Sequence, residues 1–126
     1  YKGQELFTAD IACGKNYGNK EKQGDLKTPE GTFKIIDIQD ASKWKHDFGD
    51  GKGEIEGAYG NHFIRLETPG HKGIGIHGTH DPLSIGTRAT EGCIRIKNSE
   101  LEQLVSLIRV PTTVIITPSV KDIKTQ

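Results

Sequence analysis

Cys93, in Glu91-Gly92-Cys93-Ile94-Arg95, and His77, closing Gly73-Ile74-Gly75-Ile76-His77, are the residues of this chain best suited to nucleophilic chemistry. A thiol attacks weakly until it loses its proton, and a neighbouring imidazole, which titrates near neutrality, can take that proton. Such pairing lowers a cysteine from about 8.5 to roughly 3 to 4 in the most activated cases. Gly92 permits a tight backbone and close approach of a substrate, and the amides beside it could stabilise a tetrahedral oxyanion. The chemistry indicated is acyl transfer, with Cys93 as nucleophile and His77 as general base.

Two short strands must present these groups. The two-residue period of a strand puts Ile74 and Ile76 on one face of residues 73–77, and Gly73, Gly75 and His77 on the other. Residues 93–96 repeat the arrangement, with Ile94 and Ile96 facing a core while Cys93 and Arg95 share the opposite face. If the two strands are neighbours, His77, Cys93 and Arg95 meet on one open surface.

The rest of the chain supplies the scaffold. Glu5 to Ala12, Thr32 to Ile38 and His62 to Glu67 read as strands, with Thr28-Pro29-Glu30-Gly31 as a turn into the second. Asp40 to Gly57 is polar and glycine-rich and predicts an irregular insertion or hairpin near the active face. Trp44 and Tyr59, near its ends, are candidates for covering a groove, although core packing explains them equally well. Ser99-Glu100-Leu101-Glu102 has the form of a capping box, and Leu101, Leu104, Val105 and Ile108 recur at helical spacing, predicting a helix from Ser99 to Ile108. Pro111 stops it, and the β-branched run Thr112 to Thr117 predicts a last, well-buried strand.

Composition bounds the alternatives. A chain of 126 residues is the size of one domain with one core, so residues 1–126 are read as a single domain, mainly β with one or more helices. Seventeen basic and seventeen acidic side chains cancel without any block of like charge, which removes the electrostatic footprint of a nucleic-acid binder. No apolar run approaches the roughly 18 to 20 residues of a membrane span, and Tyr1-Lys2-Gly3-Gln4 has no signal-peptide pattern. Cys13 and Cys93 could pair, which would disarm the nucleophile, but a domain of this size rarely needs a disulfide. Zinc is also disfavoured. His62, His71, His77, His80, Asp81 and Cys93 are possible ligand types, yet no second cysteine lies near Cys93 and no His-Glu-x-x-His pattern occurs.

With these residues in view, the sequence resembles the L,D-transpeptidase catalytic domain, or YkuD, family. His77-Gly78-Thr79, Pro82, Ser84-Ile85-Gly86, Gly92-Cys93-Ile94-Arg95 and Asn98 are similar to its signature, and Gly14-Lys15-Asn16 and Thr28-Pro29-Glu30-Gly31-Thr32-Phe33 to its upstream elements. The likeness spans roughly residues 5 to 117. Thr90 stands where the family usually has Ser, Glu91 where His is frequent and Glu100 where Asp is frequent.

The resemblance implies a mixed β-sandwich or barrel fold, no cofactor or metal, and action on peptidoglycan stem peptides in the bacterial envelope. It further implies a thioester on Cys93, His77 oriented by the backbone carbonyl of Gly78, and acylation by carbapenem-type inhibitors. Arg95 and Gly92 are then expected at the substrate, Arg95 because a guanidinium suits a stem carboxylate. His62, one short connection before the catalytic strand, is a further cleft-lining candidate, with a surface position equally open. An L,D-carboxypeptidase, an enzyme attaching or releasing envelope proteins, and a silent peptidoglycan-binding module are the alternatives.

Overall fold

The computed structural model describes residues 5–22, 24–47, 51 and 53–117. Residues 1–4 and parts of the expected insertion lie outside them. In chain order the elements are β1 (Ile11–Gly14), β2 (Gly31–Asp40), β3 (Lys45–Asp47), β4 (Glu54–Glu56), β5 (His62–Leu66), β6 (Gly75–His77), β7 (Arg88–Thr90), β8 (Ile94–Ile96), α1 (Asn98–Leu107) and β9 (Thr113–Ile116). The protein is mainly β, as the composition and pattern predict. Seven strands form one sheet in the order β7-β1-β8-β6-β5-β2-β9, and β3 and β4 form a separate hairpin.

Alternation along the strands decides which face is buried. In β5, Ile64 and Leu66 turn to the core while Phe63 and Arg65 turn the other way. Ile35, Ile64, Leu66, Ile74 and Ile96 gather on the core face, and α1 lays Leu101 among them, with Leu104 and Val105 at the margin. Ile64 and Leu101 are wholly buried, each burial contributing about 1.5–3 kcal/mol. The expected face assignment of Ile74 and Ile76 holds, since both belong to or pack against this cluster.

Four expectations are corrected. β1 begins only at Ile11, so most of the Glu5 to Ala12 run is not strand. Cys93 lies in the bend immediately before β8 and is not itself a strand residue. The last strand, β9, is the sheet's edge, paired to β2 alone, and Ile115 is 68% exposed, so β-branching marks strand here without marking burial. The capping box does not form. The helix starts at Asn98 with Lys97 as its cap residue and no side-chain cap bond, so Ser99 lies within the first turn and not at the cap position. Asn98 bonds both backbone groups of Thr79, and Glu102 reaches Asn61 and His62.

Candidate active site

The central pairing that positions the site is β6 beside β8, parallel, with Ile76 opposite Ile94 and His77 opposite Arg95. Equivalent register places His77 and Arg95 on the same face, and Cys93 arrives at the entry of β8 on that side. On the other flank β5 runs antiparallel to β6 and sets Phe63 opposite His77. A cleft of about 520 Å³ opens over these strands, and its lining includes Trp44, His46, Tyr59, His77, Cys93 and Arg95.

His77 is held on every side. It is 4% exposed, its ring stacks on Phe63 with centroids 5.7 Å apart, and the edge of Tyr59 meets it at 4.8 Å. Gly75 has no side chain because one would strike the Ile64 carbonyl at 2.4 Å and the Phe63 ring at 2.6 Å. The imidazole Nδ1 donates to the Gly78 carbonyl at 2.6 Å. Since a carbonyl only accepts, that bond fixes the proton on Nδ1 and leaves the Nε2 lone pair as the acceptor. Burial lowers the imidazole to about 4; the Gly78 bond works against this, and the Arg95 guanidinium adds to it.

Gly78 is itself clamped. Its N–H donates to the Tyr59 carbonyl at 2.8 Å, and a Cβ on it would lie 2.1 Å from Asn98 Oδ1. Asn98 Oδ1 accepts from Thr79 N at 2.8 Å, and its Nδ2 donates to Thr79 O at 3.0 Å. The first turn of α1 therefore fixes the loop that orients the histidine.

Thr90 organises the cysteine loop. Its hydroxyl donates to the Cys93 carbonyl at 2.6 Å and accepts from Gly92 N at 3.2 Å. Gly92 has φ 139°, and a Cβ there would come within 3.0 Å of the Lys27 carbonyl, so glycine is required on both counts. In this structure the Gly92 N–H is given to the Thr90 hydroxyl. The Cys93 thiol donates to the Gly73 carbonyl at 3.2 Å, not to His77. Burial pushes it up to about 11, against the lowering effects of the Gly75 N–H and the Arg65 guanidinium. The strongly lowered thiol that a His partner can produce is thus not the resting state. Both thiols are free.

Other charges complete the cleft. Arg95 is buried and donates through Nη1 to Ser84 Oγ at 2.9 Å. Arg65 also lines the cleft, bonded to Gln39 and lying 4.8 Å over Phe63. At the floor, Lys20 and Asp25 form a buried pair at 2.9 Å. Burial would raise the Asp25 carboxyl, but N–H donors of Glu21, Lys22 and Lys27 and the Lys20 ammonium hold it well below the usual carboxylate range. From the β3–β4 hairpin, His46 meets Glu91 at 3.2 Å and the Tyr59 hydroxyl at 3.1 Å.

Cys93, His77 and Arg95 thus line one cleft, while Gly78 and Gly92 stand next to them in the chain, Gly78 bonded to the His77 ring and Gly92 to Thr90, without lining it. His62 is not among them: it lies on the opposite face of β5, its Nε2 3.2 Å from the Glu102 carboxylate of α1, because strand alternation turns it away from Phe63. Sequence reasoning missed Lys20, His46 and Arg65. Arg65 was recoverable, since the period that turns Ile64 inward turns Arg65 toward the cleft. Lys20 and His46 sit in polar segments without a period, and no local pattern marks them.

The family model described as YkuD, L,D-transpeptidase catalytic domain, matches residues 1–116. The chain is 33% identical over 92 residues to YkuD of Bacillus licheniformis, a candidate L,D-transpeptidase, covering 73% of this chain and 46% of that protein. It spans about half the length of the curated relatives it matches. An L,D-transpeptidase from Mycobacterium smegmatis shares the fold with a TM-score of 0.63 at 21% identity, over 91% of this chain and 50% of that one. The catalytic domain of the E. faecium L,D-transpeptidase, solved acylated by ertapenem, gives 0.60 at 22% identity, over 92% and 84%.

Proposed function

The chain belongs to the L,D-transpeptidase catalytic domain family, and from that premise we propose that it is a cysteine-dependent L,D-transpeptidase of peptidoglycan, working in the bacterial envelope. Cys93 attacks the carbonyl between the third and fourth residues of a tetrapeptide stem. His77 Nε2 takes the thiol proton as the C–S bond forms, then gives it to the nitrogen of the departing D-Ala as the C–N bond breaks. An amine next attacks the thioester, and its proton returns through His77 to the Cys93 sulfur as the C–S bond breaks.

The observation that carries this reading is the locked histidine. Its Nδ1 proton is committed to Gly78, its Nε2 is left as acceptor, and it lines the same cleft as Cys93. With burial raising the thiol and lowering the imidazole, the resting pair is favoured in its neutral form, and His77 Nε2 is the acceptor to which the thiol proton passes during acylation. The Gly78 carbonyl stabilises the imidazolium formed on the way, a task a carboxylate performs in other triads. Arg95 lies beside both groups and suits a carboxylate of the stem.

Intact mass spectrometry after incubation with a carbapenem tests the mechanism. The folded, reduced protein is expected to gain one adduct on Cys93, and neither Cys93→Ala nor His77→Ala is expected to release D-Ala from a disaccharide tetrapeptide. Absence of the adduct, or full activity in either variant, overturns the assigned roles.

A further inference from the structure

The charges around the cleft are segregated in a way the donor half of the reaction does not use. Arg65, Lys72 and Arg95 line it as cations beside Lys20, whose charge is held by Asp25, and Glu91 is the one carboxylate among the described lining residues. A donor stem, which ends in a carboxylate, is matched by the cations. Glu91 stands two residues before Cys93, its side chain 47% exposed, at the cleft rim and close enough for its charge to raise the thiol. A carboxylate there does not match the carboxylate end of a donor stem.

Resting on the transpeptidase reading, we propose that Glu91 selects a positively charged primary amine as the acyl acceptor, with His46 occupying the same carboxylate until the amine arrives. Amines of the lysine type are cations at neutral pH, with a pKa of about 10.4, and a carboxylate beside the thioester gathers them. The His46–Glu91 contact is built to be exchanged. His46 Nε2 lies 3.2 Å from Glu91, and its Nδ1 contacts the Tyr59 hydroxyl. An imidazole with its proton on Nε2 gives Glu91 one hydrogen bond, while the carboxylate's remaining lone pairs can accept an ammonium.

The ammonium passes one proton to Glu91 and onward to solvent, and the free amine attacks the thioester carbon. The C–N bond forms, the C–S bond breaks, and the amine's second proton reaches the sulfur through His77. Water carries no charge for Glu91 to gather, so the same carboxylate biases the thioester toward aminolysis over hydrolysis.

The test compares two nucleophiles on one donor, a disaccharide tetrapeptide: methylamine, which is cationic at neutral pH, and hydroxylamine, which is neutral. Wild-type selectivity for methylamine is expected to fall about fivefold to tenfold in Glu91→Gln, through the acceptor KM, and to be largely rescued in Glu91→Asp. His46→Asn, which removes the competing partner, is expected to raise it. A pair that merely pinned the hairpin would make Glu91→Gln and His46→Asn fall together, and that result overturns the proposal. So does an unchanged selectivity in Glu91→Gln, or loss of thioester formation in that variant. If wild type itself forms no thioester, the transpeptidase reading fails first, and the two failures are distinguishable.

Discussion

Acidification forces a proton onto a histidine that the fold holds neutral, and the resulting loss of stability can be worked out. Burial, opposed by the Gly78 bond and reinforced by Arg95, lowers His77 from 6.5 to about 4. Above the unfolded value neither state is protonated, and the neutral ring contributes its full share of stability. As pH falls from about 6.5 toward 4 the unfolded chain binds the proton first, so stability declines with the acid, and the loss saturates below the folded value. The gap of about 2.5 units corresponds to about 3 kcal/mol, a large part of the 5–15 kcal/mol available to a typical domain.

Urea unfolding at about pH 8 and about pH 4, on wild type and His77→Asn, isolates this contribution from the carboxylates that titrate in the same range. Wild type is expected to lose about 3 kcal/mol more than the variant over that interval, whatever their absolute stabilities. Parallel losses in the two proteins would mean that His77 is not held neutral, and the reasoning from burial would be refuted. If His77 is the general base as proposed, the same shift keeps it in its working form, and the acid limb of the acylation rate is expected well below the usual histidine range.

Alkylation of Cys93 by iodoacetamide is expected to climb until about pH 11, with about one thiolate in a thousand at pH 8; a plateau reached near pH 7 would contradict the burial argument. Gly78→Ala puts a methyl group on Asn98 Oδ1, and is expected to cost about 1–3 kcal/mol by displacing the two Thr79 bonds, together with most of the acylation rate. Adding Asn98→Ala should recover part of that stability, and strictly additive melts would exclude the clash. Leu101→Ala, at a fully buried helix position, is expected to cost about 2–5 kcal/mol in urea unfolding while a carbapenem still acylates the folded fraction.

The parts of this architecture legible in the sequence are those governed by a short period. Ile74 and Ile76, and Ile94 and Ile96, announce a core face, and their partners His77 and Arg95 follow on the other face once the parallel pairing of β6 and β8 is made. The helix is legible for the same reason, but its start is not: Asn98 is drawn to Thr79, 19 residues away, and a local capping motif has no knowledge of that competitor. His46 and Glu91 are 45 residues apart, in a segment without periodicity, so the contact exists only after the hairpin has folded over the cleft. The neutral thiol escapes prediction most completely. Residue types suggest an activated thiolate, whereas protonation depends on burial, a property of the assembled sheet and not of any spacing.

That neutral resting state bears on how the cleft divides its labour. A thiolate–imidazolium pair would be reactive toward any electrophile or oxidant that entered. With burial raising the thiol to about 11 and lowering the imidazole to about 4, the proton favours sulfur in the neutral range, and the proposed mechanism then relies on a carbonyl held within reach of both groups. On that mechanism positioning is expected to carry more of the catalytic burden than thiol activation does. This gives a physical role to the features that hold geometry instead of shifting charge: the Thr90 bonds across the cysteine loop, the Asn98 clamp on Thr79, and the close approach of Gly78 to α1. Each fixes backbone within two residues of a reacting side chain. Changes at these positions are accordingly expected to slow acylation without moving the thiol's titration, which separates positioning from activation in a single pH series.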